Sequence, residues 1–571
     1  MELLAEINDK VSAAVWGAPT IILILFTGAL FSVRTGFFQL RHFGHWIKST
    51  LGSVKGGGKA ENGSVSQFSA MTSALAATLG TGNIAGVSAA IAAGGAGAVL
   101  WIWISALLGM MTGFAENVLG IYYRKREGEY WRGGAMQYIG SGLAETRLKP
   151  LAKPLAAVFA GLCVLASFGM GNMAQVNSAA EALYHSFGVP ALISGVVMAA
   201  VGAAISFGGV KRIASVTAAL VPFMSIFYFI GSVYILVSNA ERLPAMLSFI
   251  LEEAFCPRAV SGGVSGYIIK QAVSMGIRRG VFSNEAGLGT SVAAHAASDV
   301  KEPCIQGMWS IFEVFFDTIV MCSLTAFVLI CSPCRAVPFE EAVCNVSVQT
   351  QYFCLLPNEG LITHGAEQPM ISDNGSEMTF HTIYGTEIVQ SVGRGDLTFS
   401  NIMTIRGVQS VDENGDPEYG ANGLPIIEKI ELLSVSGSAL TAFAFRQSFG
   451  GAAEGILAAA IVMFAFSTAV GWSSFGAEAA IYLFGRKAEK PYKIVFVVFM
   501  LIGSAAELTL VWNISDTLNG LMAIPNLFAV ILLSGKVMRI YRNYRDRVFL
   551  KKSVPPMLSF SQGRDSHEVN S

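Results

Sequence analysis

Residues 77–95, ATLGTGNIAGVSAAIAAGG, decide how the rest of the chain is read. The stretch is apolar enough for the interior of a bilayer, yet Gly80, Thr81, Gly82 and Asn83 stand in its middle, four consecutive residues with low helix propensity or small side chains. A helix in lipid satisfies its own backbone groups, so a break at that depth is tolerated only where the freed N–H and C=O groups line a cavity or meet a partner. Such a break is expected to serve a function.

Working outward, long apolar stretches recur along almost the whole chain. Of its 571 residues 53% are hydrophobic and 13% are charged, against about 25% charged in soluble proteins. A span needs about 20 predominantly apolar residues. Spans are expected at 15–33, 66–93, 97–121, 155–183, 190–207, 213–237, 263–293, 306–331, 452–484, 492–512 and 515–534. The fold class is therefore an all-α polytopic membrane protein with about eleven transmembrane helices. The 61 glycines suit close helix packing in lipid. A net charge of −1 and the lack of a basic stripe interleaved with aromatics give no sign of a nucleic-acid partner, and none is expected. Glu2, Glu6 and Asp9 precede the first span, so no removable signal peptide is expected.

The basic segments Arg34–Lys59, Arg124–Lys153, Lys211–Arg212, Arg486–Lys493 and Lys536–Lys552 are expected in the cytoplasm. The neutral or acidic connections at 184–189, 238–262 and 332–450 then lie outside, which puts the N-terminus out and the C-terminus in, in a multi-pass protein of the cell membrane.

The seventh span, which contains MGIRRGVFSNEAGLGTSVAAHAA, is too polar for a plain helix, and its Asn284–Gly287 repeats the Asn-x-Ala-Gly of Asn83–Gly86. The two breaks fall in the first and sixth of the ten helices after the N-terminal span. A pair of broken helices at corresponding positions of two halves is the mark of an inverted-repeat secondary transporter. The expected organisation is an N-terminal helix and cytoplasmic connector (1–65), a first five-helix repeat (66–237), a second repeat in two pieces (263–331 and 451–534), and a basic cytoplasmic tail (535–571).

Between those pieces, residues 332–450 form an acidic extracytoplasmic insert with 14 Asp or Glu against 5 Lys or Arg. TFHTIYGTEIVQSV at 379–392 and TFSNIMTIRGVQSV at 398–411 repeat at an offset of 19. Alternating β-branched residues between turns predict a small β-rich insert, with the copies as two related hairpins. Cys331, Cys334, Cys344 and Cys354 are candidates for disulfides on an oxidising face.

Ser73–Arg124, with the Gly-Gly-x-Gly-Ala-x-x-Trp-x-Trp core at Gly94–Trp103, resembles the signature region of the alanine/glycine:cation symporter family. NMAQVNS at 172–178, GVFSNEAGLGTSVAAHAA at 280–297, FAFSTAVGWSSFGAE at 464–478 and LMAIPN at 521–526 extend the resemblance over the membrane part; the insert departs from the compact family pattern. The resemblance implies a leucine-transporter-like 5+5 inverted repeat preceded by one extra helix, moving small neutral amino acids such as alanine and glycine with Na⁺ as the coupling ion. The fold it implies places a sodium site where the first broken core helix meets the eighth, with Thr78 facing Ser467 or Thr468.

The residues themselves add candidates. A substrate carboxylate needs donors at an exposed helix N-terminus, which Gly80, Thr81, Gly82 and Asn83 supply. Oxygens for the ammonium are expected from Gln175, Asn284 and Thr468. Trp472, one turn beyond Thr468 on the same face, is the candidate wall of a side-chain pocket that admits glycine or alanine; its small neighbours Gly471, Ser473 and Ser474 are expected to leave space beside it. Glu285, ionisable in an unwound segment, is a candidate for cation or proton coupling, or a partner for Arg278 or Arg279. Glu116, Asp317 and Glu478 receive no role, and His295 reads as structural.

No nucleophile elbow, Walker loop or metal-ligand spacing is present, so no enzyme is expected. The expected partners are a small neutral amino acid and the bilayer, with no obligate protein partner. Two other readings stay open: proton coupling through Glu285, and a receptor or sensor that binds its ligand on the insert.

Overall fold

Leu79 and Gly80 leave the helical region of backbone space, and the helix that began at Gln67 stops there. A single turn of 3₁₀ helix, Thr81–Asn83, restarts the chain at 61° to its first direction. The computed structural model that carries this break describes residues 2–54, 64–127, 130–255, 264–332, 336–337, 351–355, 372–373, 378–381, 387–390, 402–412, 416–420, 425–434, 437–506 and 508–559.

In chain order the main helices are α1 (Glu2–Val15), α2 (Ala18–Arg34), α3 (Gln67–Thr78), α4 (Ala85–Gly94), α5 (Ala98–Tyr123), α6 (Ala135–Leu143), α7 (Lys149–Phe168), α8 (Ala174–Phe187), α9 (Ala191–Ser206) and α10 (Gly209–Ser238). There follow α11 (Leu243–Phe255), α12 (Val264–Asn284), α13 (Val292–Ala296), α14 (Pro303–Val314), α15 (Ser323–Cys331), α16 (Gly437–Phe449), α17 (Ala453–Phe484), α18 (Glu489–Ala505), α19 (Leu508–Leu532) and α20 (Ser534–Val548). Two π-helical segments, Gly169–Met173 and Phe315–Cys322, join α7 to α8 and α14 to α15. Such segments widen the helix and turn side chains off the regular register, and they are frequent at functional sites.

Among the described residues seven helices are long and apolar enough to cross a membrane, and the bent pair α3 and α4 makes an eighth. Every expected span falls on a helix or a broken pair. Those at 190–207, 263–293 and 492–512 rest on helices that are too short or too polar for that measure. Outward-facing apolar side chains such as Ile22, Leu192, Phe223, Ile230 and Val237 are 61 to 70% exposed, the surface that lipid covers. The protein is a mostly helical, multi-pass membrane protein.

Two boundaries differ from expectation. The tenth span ends at Ala505 because Asn177 donates to the carbonyls of Gly503 (2.9 Å) and Ala506 (2.7 Å), capping α18 from α8. Consequently α19 begins at Leu508, well before 515.

The insert is also shorter in β-structure than its 332–450 limits. Gly437–Phe449 is helical and buries Leu440, Phe443, Ala444 and Phe445, with Phe445 stacked on Tyr228 at 5.9 Å. Its spacing of apolar residues at i, i+3 and i+4 is that of a half-buried helix. The remainder does contain strands: Gln351–Leu355, Ile402–Gln409 and Ile427–Ser434 pair antiparallel in sequence, and Met378–His381 pairs with Glu387–Gln390. The first copy of the 19-residue repeat is thus a hairpin, whereas the second is one long strand in another sheet. Cys331 is a buried free thiol with its Sγ 3.3 Å from the Met246 sulfur, which removes it from the disulfide candidates. Cys334 and Cys344 lie outside the described residues.

Candidate substrate and ion site

Helix α17 reaches both breaks from one face. The Thr468 hydroxyl donates to the Ala76 carbonyl at 3.1 Å, at the end of α3, and one turn on the Trp472 indole N–H donates to Glu285 Oε1 at 2.8 Å, just beyond α12. Ser467 also donates to the Ala76 carbonyl, at 3.3 Å. Two of the three expected sodium ligands therefore converge on one carbonyl of the broken helix. Thr78 does not join them: its hydroxyl returns to Leu75 of its own helix at 3.3 Å.

At the first break most N–H groups already have internal partners. Gly80 donates to the Thr78 carbonyl (2.8 Å) and to Asn83 Oδ1 (3.2 Å), and Asn83 donates to the Gly80 carbonyl (3.3 Å). Thr81 gives both its N–H (3.1 Å) and its hydroxyl (2.9 Å) to Gln175 Oε1. Gln175 is thus at the site, but its oxygen occupies the donors expected for a carboxylate. Glycine is required at 80, because a Cβ there would lie 2.7 Å from Thr468 Oγ1 and 3.0 Å from Gln175 Oε1.

Asn284 is not with Gln175 and Thr468. Its amide donates to Thr318 Oγ1 at 3.1 Å, and its oxygen takes the Ala286 N–H at 2.9 Å. It belongs to a second cluster, centred on a residue to which the sequence reading gave no role. Asp317, buried in the π-helical segment, accepts from Asn83 Nδ2 (2.8 Å) on Oδ1, and from Ser283 Oγ (2.6 Å) and Thr318 Oγ1 (2.8 Å) on Oδ2. Asn83 Nδ2 also lies within 3.1 Å of the Asp317 carbonyl and 2.9 Å of Ser283 Oγ, more acceptors than two N–H bonds can serve. Carboxylate, hydroxyl and carbonyl oxygens of α12 and the π segment are gathered around the Asn83 amide of the first break. Hard cations favour such a set of carboxylate, hydroxyl and carbonyl oxygens. An acid in the middle of an apolar span was the available signal.

Glu285 adopts φ 56°, in the left-handed region, which costs a non-glycine residue about 1–2 kcal/mol. Its carboxyl accepts from Trp472 on one oxygen and from Thr290 on the other. It does not pair with Arg278 or Arg279, which both bind Asp516 of α19, at 2.5 Å and 3.1 Å. A side chain at the turn after Asn284 points across the bundle, away from the helical face that carries the arginines. Trp472 itself is fully buried. Of its small neighbours, Gly471 packs directly on α3, where a Cβ would come within 2.9 Å of the Ala77 nitrogen, and Ser473 accepts from Ser206 at 2.9 Å, whereas Ser474 lines a small cavity with Ser73 and Glu478.

Converting Trp472 to Phe keeps a ring in this slot and removes the donor to Glu285. A hydrogen bond to a charged group contributes about 1.5–3 kcal/mol. Amino-acid affinity is expected to fall about 10-fold; equilibrium binding at the wild-type level would mean that the indole N–H has no part in holding the site.

A family model for the sodium:alanine symporters matches residues 1–352 and 426–556, leaving most of the insert unmatched. The chain belongs to the sodium:alanine symporter family. The sodium/alanine symporter AgcS of Methanococcus maripaludis is 35% identical over 541 residues, 94% of this chain and 96% of its own. An uncharacterised transporter of Haemophilus influenzae is 32% identical over 95% of this chain and 97% of its own. The probable sodium/glutamine symporter GlnT of Bacillus subtilis is 28% identical over 96% and 94%. This membership makes the protein a member of a transporter family. The relatives carry names with different substrates, so the family alone leaves the amino acid to be argued from the site.

Proposed function

We propose that this protein is a sodium-coupled symporter of small neutral amino acids, alanine and glycine foremost, working by alternating access between two five-helix repeats (66–237 and 263–534) of leucine-transporter type. The observation that carries the proposal is the oxygen cluster of Asp317, Ser283 and Thr318, tied by the Asn83 amide to the first break and buried where the two broken helices meet. A buried carboxylate without a cationic partner is costly, and a mobile cation that arrives with substrate offsets the cost. A second ion position is supported by Ser467 and Thr468 on the Ala76 carbonyl.

The substrate carboxylate would take the Thr81 donors from Gln175, beside Gly80 and Gly82, where a Cβ would press on Thr468 and on Phe282. The buried Trp472 ring, with Gly171 packed against it, favours a short side chain, which supports alanine over glutamine. The protein would sit in the cell membrane with the N-terminus outside and the C-terminus in the cytoplasm, following its basic segments. One Na⁺ entering at about 100 mV contributes about 2.3 kcal/mol, and a tenfold gradient about 1.4 more. Coupled one to one, that sustains an accumulation of several hundredfold.

Labelled alanine uptake into proteoliposomes tests this. An inward sodium gradient is expected to drive accumulation above equilibrium, with equal potassium or proton gradients ineffective; accumulation driven by protons without sodium would overturn the sodium reading. Burial of Glu285 between Trp472 and Thr290 favours proton coupling as the second reading. Glu285→Gln separates the two. Sodium coupling predicts that the variant still accumulates alanine on a sodium gradient, whereas a proton carrier at this position predicts loss of concentrative uptake.

A further inference from the structure

The second break has a support that the substrate and ion residues do not explain. Between Asn284 and Val292 the backbone has left the helix, and the Gly287 N–H and C=O, on a residue with φ 96°, have no helical partners. Two buried side chains from distant helices replace them. Glu116 of α5 accepts the Gly287 N–H at 3.2 Å, and Asn526 of α19 donates to the Gly287 carbonyl at 2.8 Å. The Asn526 amide also donates to the other oxygen of Glu116, and its own oxygen accepts from the Tyr138 hydroxyl of α6. Every donor in this chain meets an acceptor, in one consistent direction from Tyr138 to Glu116. Gly289 completes the contact: with φ 71°, a Cβ there would lie 2.7 Å from Ala135 at the start of α6 and 2.8 Å from Asn526 Oδ1.

We infer that Glu116, Asn526 and Tyr138 are positioning residues that clamp the unwound segment 285–291 and tie it to the short helix Ala135–Leu143, so that movement of that helix is coupled to the Glu285–Trp472 contact. Glu285 is two residues from the clamped glycine, so the clamp fixes where its carboxyl meets the indole. The hydroxyl of Tyr138 is the only link in the chain supplied by a short helix outside the long apolar spans, and it is the link that can be cut without disturbing the other two. The inference rests on the symport reading for its transport readout and on hydrogen exchange for its structural one.

The test uses the full chain with Tyr138→Phe, Asn526→Asp, and Asn526→Asp combined with Glu116→Gln. Asn526→Asp withdraws the donor to Gly287 and sets a second acid against Glu116; alanine affinity and uptake are each expected to fall at least about 10-fold. Adding Glu116→Gln returns a donor to the pair and is expected to recover about 3-fold or more of the uptake, which a mere loss of packing would not. Tyr138→Phe, nearly isosteric, is expected to leave the alanine Kd within about 2-fold and to lower maximal uptake about 5-fold. Amide exchange of the 285–291 peptide is expected to speed up about 10-fold in Asn526→Asp. Wild-type exchange in Asn526→Asp, no recovery in the double variant, or unchanged maximal uptake in Tyr138→Phe would each overturn the clamp. A wild-type protein that moves no alanine contradicts the symport reading instead, and the exchange measurement still decides the clamp.

Discussion

Asp317→Ala is expected to abolish most sodium-stimulated alanine uptake, with a fall of about 100-fold at limiting sodium. The side chain gathers three donors, Asn83, Ser283 and Thr318, and each comes from a different part of the site. Removing it withdraws the one charge in the cluster and leaves those buried groups without their acceptor. Hydrogen bonds to charged groups contribute about 1.5–3 kcal/mol each, so losing the net effect of even one or two is a 100-fold change. Asp317→Asn keeps the shape and some of the hydrogen bonding, which isolates the charge: its sodium half-saturation is expected to rise about 10-fold while the protein stays folded in the membrane. Initial uptake rates against sodium concentration measure both. A wild-type sodium curve in Asp317→Asn would remove the carboxylate from the ion site.

Gly171→Ala is the second large effect. Gly171 lies in the π-helical segment Gly169–Met173, and its Cβ would fall 2.3 Å from Trp472 Cγ. The indole has no room to yield, since its N–H is held by Glu285 and its ring packs on Phe475 at 5.7 Å. Overpacking of this kind costs about 1–3 kcal/mol. Here the cost falls on the ring proposed as the substrate wall, so alanine binding is expected to weaken about 10- to 100-fold. Gly161→Ala, the same substitution ten residues earlier in the same span, meets nothing within 4 Å and serves as the control. Equal binding by the two variants would mean that Trp472 does not border the substrate.

The two breaks were legible because their cause is local. Four weak helix formers in a row at 80–83 cannot be a plain membrane helix, and the polar run around 284 reads the same way. The spacing of Thr468 and Trp472 was likewise legible, since residues four apart on a helix share a face; the structure uses that face to touch both breaks. Partners across the bundle were not legible. Glu285 has two arginines within seven residues and binds neither, because the left-handed turn aims it at Trp472, 187 positions away. Asn284, at the end of its helix, turns to Thr318, 34 positions away.

Asp317 was passed over although its setting, an acid amid Phe315, Phe316, Ile319 and Val320, carried the signal. What could not be read was the π register that turns it inward toward Asn83. Helix 437–449 shows the opposite case. Its apolar spacing was written in the sequence, but it followed an acidic, turn-rich insert whose composition dominated the reading.

Coupling between the Asp317 cluster and the Thr81–Gln175 site is the central claim, and coupling is reciprocal: if sodium drives alanine, alanine must drive sodium. The direct measurement is influx of radiolabelled sodium into proteoliposomes with equal sodium on both sides, no membrane potential, and an inward alanine gradient. Accumulation of labelled sodium above equilibrium, lost in Asp317→Asn, is the predicted result. Alanine entry without net sodium movement would contradict the account.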